Sequence, residues 1–203
     1  TSTQTDVACR AKAAVLLLLR SLRKISQVTP DVFFKLFDAK IQPILLYGAE
    51  VWGMDNCDLI ESVHLFAMKS FLNVSSRTPN VMIYGDTGRF PLSINAKLRS
   101  IKYWLKVLNM SDDRLPKRVY DMNLCTSISN SWASKIKSTL EECDYEEVWT
   151  NQRVPNERSF LRSIREKLIS KFHADGESRV MSSPRYSFYR LFKSSCELEQ
   201  DLY

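Results

Sequence analysis

The sequence predicts an all-α protein, an irregular multi-helix bundle of about eight to ten helices. Three observations lead there. Apolar residues recur at steps of three and four through successive segments, while alternating runs are few. Only 5 Gly and 7 Pro are spread over 203 residues, too few for a turn-dense β-sandwich or a linker-rich array. Hydrophobic residues make up 44% of the chain, enough to fill a core in one large or two small domains.

The first helix is expected over 6–25, with Ala11, Val15, Leu18, Leu22 and Ile25 on one stripe. Ala13 to Leu19 is apolar all round, which predicts a buried helix. It is far shorter than the roughly 20 residues that cross a bilayer, and no signal peptide is evident. Thr29-Pro30-Asp31 starts a second helix with Pro near its first position. There Phe33, Phe37, Ile41 and Ile44 form a core stripe. Pro43 lacks a backbone donor, so it kinks this helix or starts another. Gly48 reads as a close-packing point and Gly53 as a helix C-terminus.

Asp58 is placed to cap a helix running to about Leu72, with Glu61 completing a capping box. Thr78-Pro79-Asn80 opens a short helix ending at Gly85. The cleanest helix spans 91–109, where Ile94, Leu98, Ile101, Leu105 and Leu108 make a seam. Shorter helices follow from Pro116 to about Leu124 and over 130–140. The acidic cluster from Glu141 to Glu147 reads as a solvated turn. A strong helix over 156–171 turns Leu161, Ile164 and Leu168 inward. From Gly176 the tail is less regular, broken at Ser182-Ser183-Pro184. Tyr186, Phe188, Tyr189, Leu191 and Phe192 read as an anchor back onto the core.

The most specific stretch is the ordered set KLFDAKIQPILLYGAEVWG, TPNVMIYGDTGRFPL and RSIKYWLKVLNM. It resembles the region that follows the palm in LINE-type (non-LTR) retrotransposon reverse transcriptases. SWASKIKSTLEECDYEEVW and SFYRLF fit the same family in the same order, so the resemblance covers roughly Asp6 to Lys193. It implies the helical thumb and the connector after it, divided softly near Gly53 to Asp58. Residues 1–54 would be the thumb-like helical pair and 55–203 the connector. The family's palm carries an aromatic-Ala-Asp-Asp hairpin that holds two metal ions, and this chain has no such motif. Its one Asp-Asp, Asp112-Asp113, reads as a polar turn. No catalytic residue is therefore assigned and no cofactor is expected. A start at Thr1 rather than Met is consistent with an excised piece, whose first partners would be the palm and fingers of the same polyprotein.

Net charge is +6, a weak global sign of nucleic-acid binding. The local pattern says more. Arg99, Lys102 and Lys106 share one face of the 91–109 helix beside Tyr103, and Arg158, Arg162 and Arg165 form a second row. Such rows can follow phosphates, and a neighbouring aromatic can stack on a base. From the residues alone, a solvated helix face whose stems cover apolar surface is the better account. The resemblance favours binding, because the family's thumb packs against a template–primer duplex. By that analogy Arg20, Arg23 and Lys24 join the candidates, although cations at a helix C-terminus also complement its dipole.

Other chemistry finds little support. The five cysteines are dispersed without a C-x-x-C pair, as expected of reduced thiols in a nuclear or cytoplasmic protein. His64 and His173 lie far from them in sequence, so no zinc site is expected. Phosphate-binding glycine motifs are absent. Asp86-Thr87-Gly88 matches the aspartic-protease triplet but stands alone in helical surroundings and reads as a turn. His64 falls on an apolar helix face and reads as a packed core residue. The expectation is a non-catalytic fragment of an RNA-directed DNA polymerase that binds RNA or an RNA–DNA duplex weakly and positions other domains. No membrane or small-molecule partner is expected. The alternative is a helical protein-interaction module without a nucleic-acid role.

Overall fold

The computed structural model describes residues 2–25, 27–126 and 129–192. They form twelve α-helices and one 3-10 turn, with no strand among them. The all-α expectation holds. The helices are α1 (Ser2–Leu22), α2 (Pro30–Lys40), α3 (Gln42–Leu45), α4 (Ala49–Trp52), α5 (Asp58–Phe71) and α6 (Asn80–Thr87). Then come α7 (Leu92–Leu108), α8 (Leu115–Thr126), α9 (Trp132–Glu141), α10 (Glu146–Asn151), α11 (Glu157–Ser182) and α12 (Ser187–Phe192). The chain divides into two compact units that interleave in sequence. The first draws on 1–47, 57–92 and 171–203, and the second on 48–56 and 93–170. The linear division expected at 54/55 follows neither unit.

In the first unit, α1 packs on α5 and α3, and α2 on α3. Thr29 caps α2, accepting from the Val32 N–H at 3.4 Å, and Pro30 fills the first turn, where no donor is needed. Phe33, Phe37 and Ile41 are buried as expected, and Phe33 stacks on Phe71 at 4.1 Å. Ile44 is only half-buried. Pro43 sits in the first turn of α3, and Leu45 and Leu46 face the core instead. α1 ends at Leu22, leaving Ile25 exposed beyond it. Its Leu-rich stretch is not buried all round. Ala11 and Val15 are fully buried, while Leu16 and Leu17 are 52% and 62% exposed.

α6 runs past Gly85 to Thr87 and stops at Gly88, whose φ of +61° suits a residue without Cβ. α11 likewise runs through Gly176 to Ser182. Gly176 is buried, and a Cβ there would meet Val81 of α6 at 3.6 Å, an ordinary contact. The break at Ser183-Pro184 falls as expected. Of the aromatic tail, Tyr186 and Tyr189 are half-buried and Tyr189 donates to Asp86 at 3.0 Å. Phe188 is 77% exposed and anchors nothing, while the Leu191 and Phe192 side chains lie outside the described residues.

The second unit is organised around α7. Trp104 is fully buried, stacks on Trp149 at 5.7 Å and donates through Nε1 to the Tyr120 hydroxyl at 3.0 Å. That hydroxyl donates in turn to Gln152 Oε1 at 2.7 Å, so α8 and the end of α10 are tied to α7. Ser100 donates to the Ala49 carbonyl, and Trp132 Nε1 to that of Glu50, at 2.8 and 3.1 Å. Ser131 caps α9. The acidic cluster is only in part a turn, because Glu146 and Glu147 form the first turn of α10, where carboxylates favour the helix dipole. Asn156 caps α11, its Oδ1 accepting from the Ser159 N–H at 3.1 Å.

Candidate nucleic-acid interface

The face of α7 opposite its seam borders a cleft of about 1010 Å³ within the second unit. Arg99, Lys102, Tyr103 and Lys106 all line it. The spacing of three and four that suggested a row places them successively on one face. Lys102 and Lys106 are exposed, and the Arg99 side chain is 40% exposed with Glu50 at 3.9 Å. Tyr103 is half-buried and meets Trp132 edge to face at 5.9 Å. A fifth residue, Arg114, also lines the cleft. It was missed because it follows the turn after α7, outside any helical period. Its one sequence signal is a cation just beyond a helix that already carries four. Glu50 and Glu157 add two carboxylates to the same lining.

The other expected rows lie elsewhere. Arg158, Arg162 and Arg165 are exposed on α11, but the α11 residue lining the cleft is Glu157. Arg162 pairs with Glu166 at 2.9 Å, an exposed i,i+4 pair worth little in salt. Arg20, Arg23 and Lys24 are exposed at the end of α1 in the first unit. Arg23 borders a shallow recess of about 260 Å³ beside Phe71 and Leu22. Asp112 and Asp113 sit in an exposed turn, as expected of a polar connection.

The first unit holds a cluster of ionisable side chains around two groups with shifted pKa values, His64 and Tyr84. Glu61 does not form the expected capping box: Cys57 precedes α5 without a side-chain cap. Its carboxylate points inward. It accepts from His64 Nδ1 at 2.9 Å, from the Tyr84 hydroxyl and from the Leu92 N–H at 2.8 Å. Arg89 Nε donates to His64 Nε2 at 3.3 Å, while its guanidinium pairs with Asp38 and lies 4.9 Å from the Phe34 ring centre. The pattern requires a neutral imidazole with its proton on Nδ1. Burial lowers the His64 pKa, against the pull of Glu61, and burial raises that of Tyr84.

Perturbed groups often mark active sites. Here His64 is fully buried and both ring nitrogens are engaged, so the ring has no free position to move a proton. The cluster clamps α2, α5, α6 and the start of α7. Three of its residues, Asp38, Arg89 and Leu92, come from the KLFDAK and GDTGRFPL strings, which sequence reading took for a helix and a turn. Thr87 of the Asp-Thr-Gly triplet is buried and donates to the Ile83 carbonyl, and Asp86 accepts from Tyr189. No group of three or more His, Cys, Asp or Glu among the described residues is arranged to hold a metal ion. No described helix is long and apolar enough to cross a membrane. No family model, curated protein or solved structure matches the chain.

Proposed function

We propose that this chain is a non-catalytic helical piece of a LINE-type RNA-directed DNA polymerase that contacts nucleic acid through the α7 cleft. The polymerase assignment rests on the ordered sequence resemblance. The binding assignment rests on one observation: Arg99, Lys102, Tyr103 and Lys106 share a single cleft with Arg114. Four cations against two carboxylates leave the lining net positive, and clefts of one charge sign focus the field on an incoming polyanion. Contacts of this kind read phosphates, so binding should be largely blind to sequence and sensitive to salt. A domain-positioning role in the parent polymerase belongs to the same proposal.

The test is fluorescence anisotropy with RNA and with an RNA–DNA duplex over a range of salt. Arg99, Lys102 and Lys106 changed together to Ala should weaken binding at least tenfold and flatten the salt dependence. Absence of binding at low salt, by a chain that circular dichroism shows to be folded, rules the binding role out.

A second reading, a protein-interaction module, draws on α8. Leu115, Val119 and Met122 form an exposed stripe there, 72%, 48% and 66% accessible, which is unusual for a surface helix.

A further inference from the structure

We propose that the α7 cleft takes a single-stranded stretch of nucleic acid, with an unstacked base held against Tyr103, rather than the flank of a duplex. The inference rests on the nucleic-acid reading above and narrows its ligand. Three observations carry it.

The first is charge spacing. Arg99 to Lys106 spans two helical turns, about 10 Å at a rise of about 1.5 Å per residue. Duplex DNA offers one charge per about 1.7 Å of axis, and each strand one per about 3.4 Å. Three cations over about 10 Å stand about 5 Å apart, a density nearer that of one strand than the summed charge of a duplex. Glu50 and Glu157 in the same lining oppose a denser double row.

The second is shape. A duplex is read by elements that protrude into its grooves. Here the cations border a recess of about 1010 Å³, which presents a concave surface and no element that could enter a groove.

The third is the aromatic. Tyr103 sits between Lys102 and Lys106 in the lining, and its edge-to-face partner Trp132 covers at most one face of the ring. Bases inside an A-form helix are stacked and shielded from such a side chain, whereas a single strand can splay one out onto it. A cationic groove with an interleaved aromatic is the usual build of a sequence-tolerant single-strand site.

The experiment titrates the full chain against an unstructured RNA and a blunt RNA duplex of equal length, at several salt concentrations. The proposal expects the single strand to bind at least tenfold tighter. Four phosphates neutralised, by Arg99, Lys102, Lys106 and Arg114, give a log–log salt slope of about −2.8, at about 0.7 per contact. Arg114→Ala should reduce that slope by about 0.7. Tyr103→Leu should cost about tenfold on the single strand and leave the duplex unchanged, while Tyr103→Phe, which keeps the ring against Trp132, retains binding. Equal or tighter duplex binding, or a Tyr103→Leu loss of equal size on both ligands, overturns the single-strand inference and leaves the nucleic-acid reading standing. No binding of either ligand by the folded chain overturns both.

Discussion

A Cβ added at Gly53 would fall on the Ala96 and Ala49 carbonyl oxygens, closer than real carbon atoms approach, and both are backbone. Nothing flexible can yield there. Gly48 differs: its φ of +69° demands the left-handed region, but the nearest obstacle is the Trp52 side chain at 3.5 Å. Gly53→Ala should therefore destabilise by about 3 kcal/mol through overpacking. Gly48→Ala should cost about 1 kcal/mol from the strained backbone. Urea unfolding of the two variants checks the order, and an equal or reversed ranking refutes the packing argument. Gly53 ends α4, as the sequence suggested, but the close packing expected at Gly48 falls on Gly53 instead. Local pattern shows where the chain needs a Gly. Whether the need is torsional or steric depends on Ala96, which is remote in sequence.

Between elements, the Glu61–His64–Arg89–Asp38 cluster joins four helical segments through an imidazole that must stay neutral. Its folded pKa is lowered from an ordinary 6.5, so between that lowered value and 6.5 the unfolded chain binds more protons than the folded one. The contribution is complete above about pH 6.5 and is lost as pH falls below it, by up to about 1.4 kcal/mol per unit. A stability profile from pH 8 to 5 should bend downward below about 6.5. His64→Gln, less stable throughout, should lack that bend. A wild-type profile flat over this range would refute the assignment. Burial of His64 was legible from the apolar face it shares with Ile60 and Ala67. The role of Glu61 was not, since Asp58 and Glu61 satisfy a capping pattern locally and only Tyr84 and Leu92 draw the carboxylate inward. Gly176 misled for a similar reason. A helix interior tolerates the roughly 1 kcal/mol cost of Gly when neighbouring contacts such as Val81 favour the helical path.

For the whole molecule, helical class was readable because three-and-four spacing is a property of short windows. The α7 row was readable for the same reason, and Arg114 was not, because a turn brings it to the cleft. The division into units was unreadable because it depends on pairings between distant segments. Residues 48–56 belong with 93–170: Ser100 holds the Ala49 carbonyl, Trp132 that of Glu50, and Lys135 pairs with Asp55 at 2.5 Å. Residues 1–47 belong with 57–92, where α1 packs on α5 and Arg89 pairs with Asp38. A cut at the linear boundary 54/55 thus severs both units at once. A 55–203 fragment would leave Arg89 without Asp38 and the Phe71 ring without Phe33, and would open the α7 surface that Gly53 covers. Such losses combine an unpaired, partly buried charge with missing core, each individually worth several kcal/mol. The total stability of a domain is only about 5–15 kcal/mol. The 55–203 fragment should therefore lose cooperative urea unfolding and near-ultraviolet dichroism, and adding a separate 1–54 peptide should restore part of both. A 55–203 fragment that unfolds cooperatively by itself, with the midpoint of the whole chain, would show that the interleaved contacts contribute little and that the linear division is the physical one.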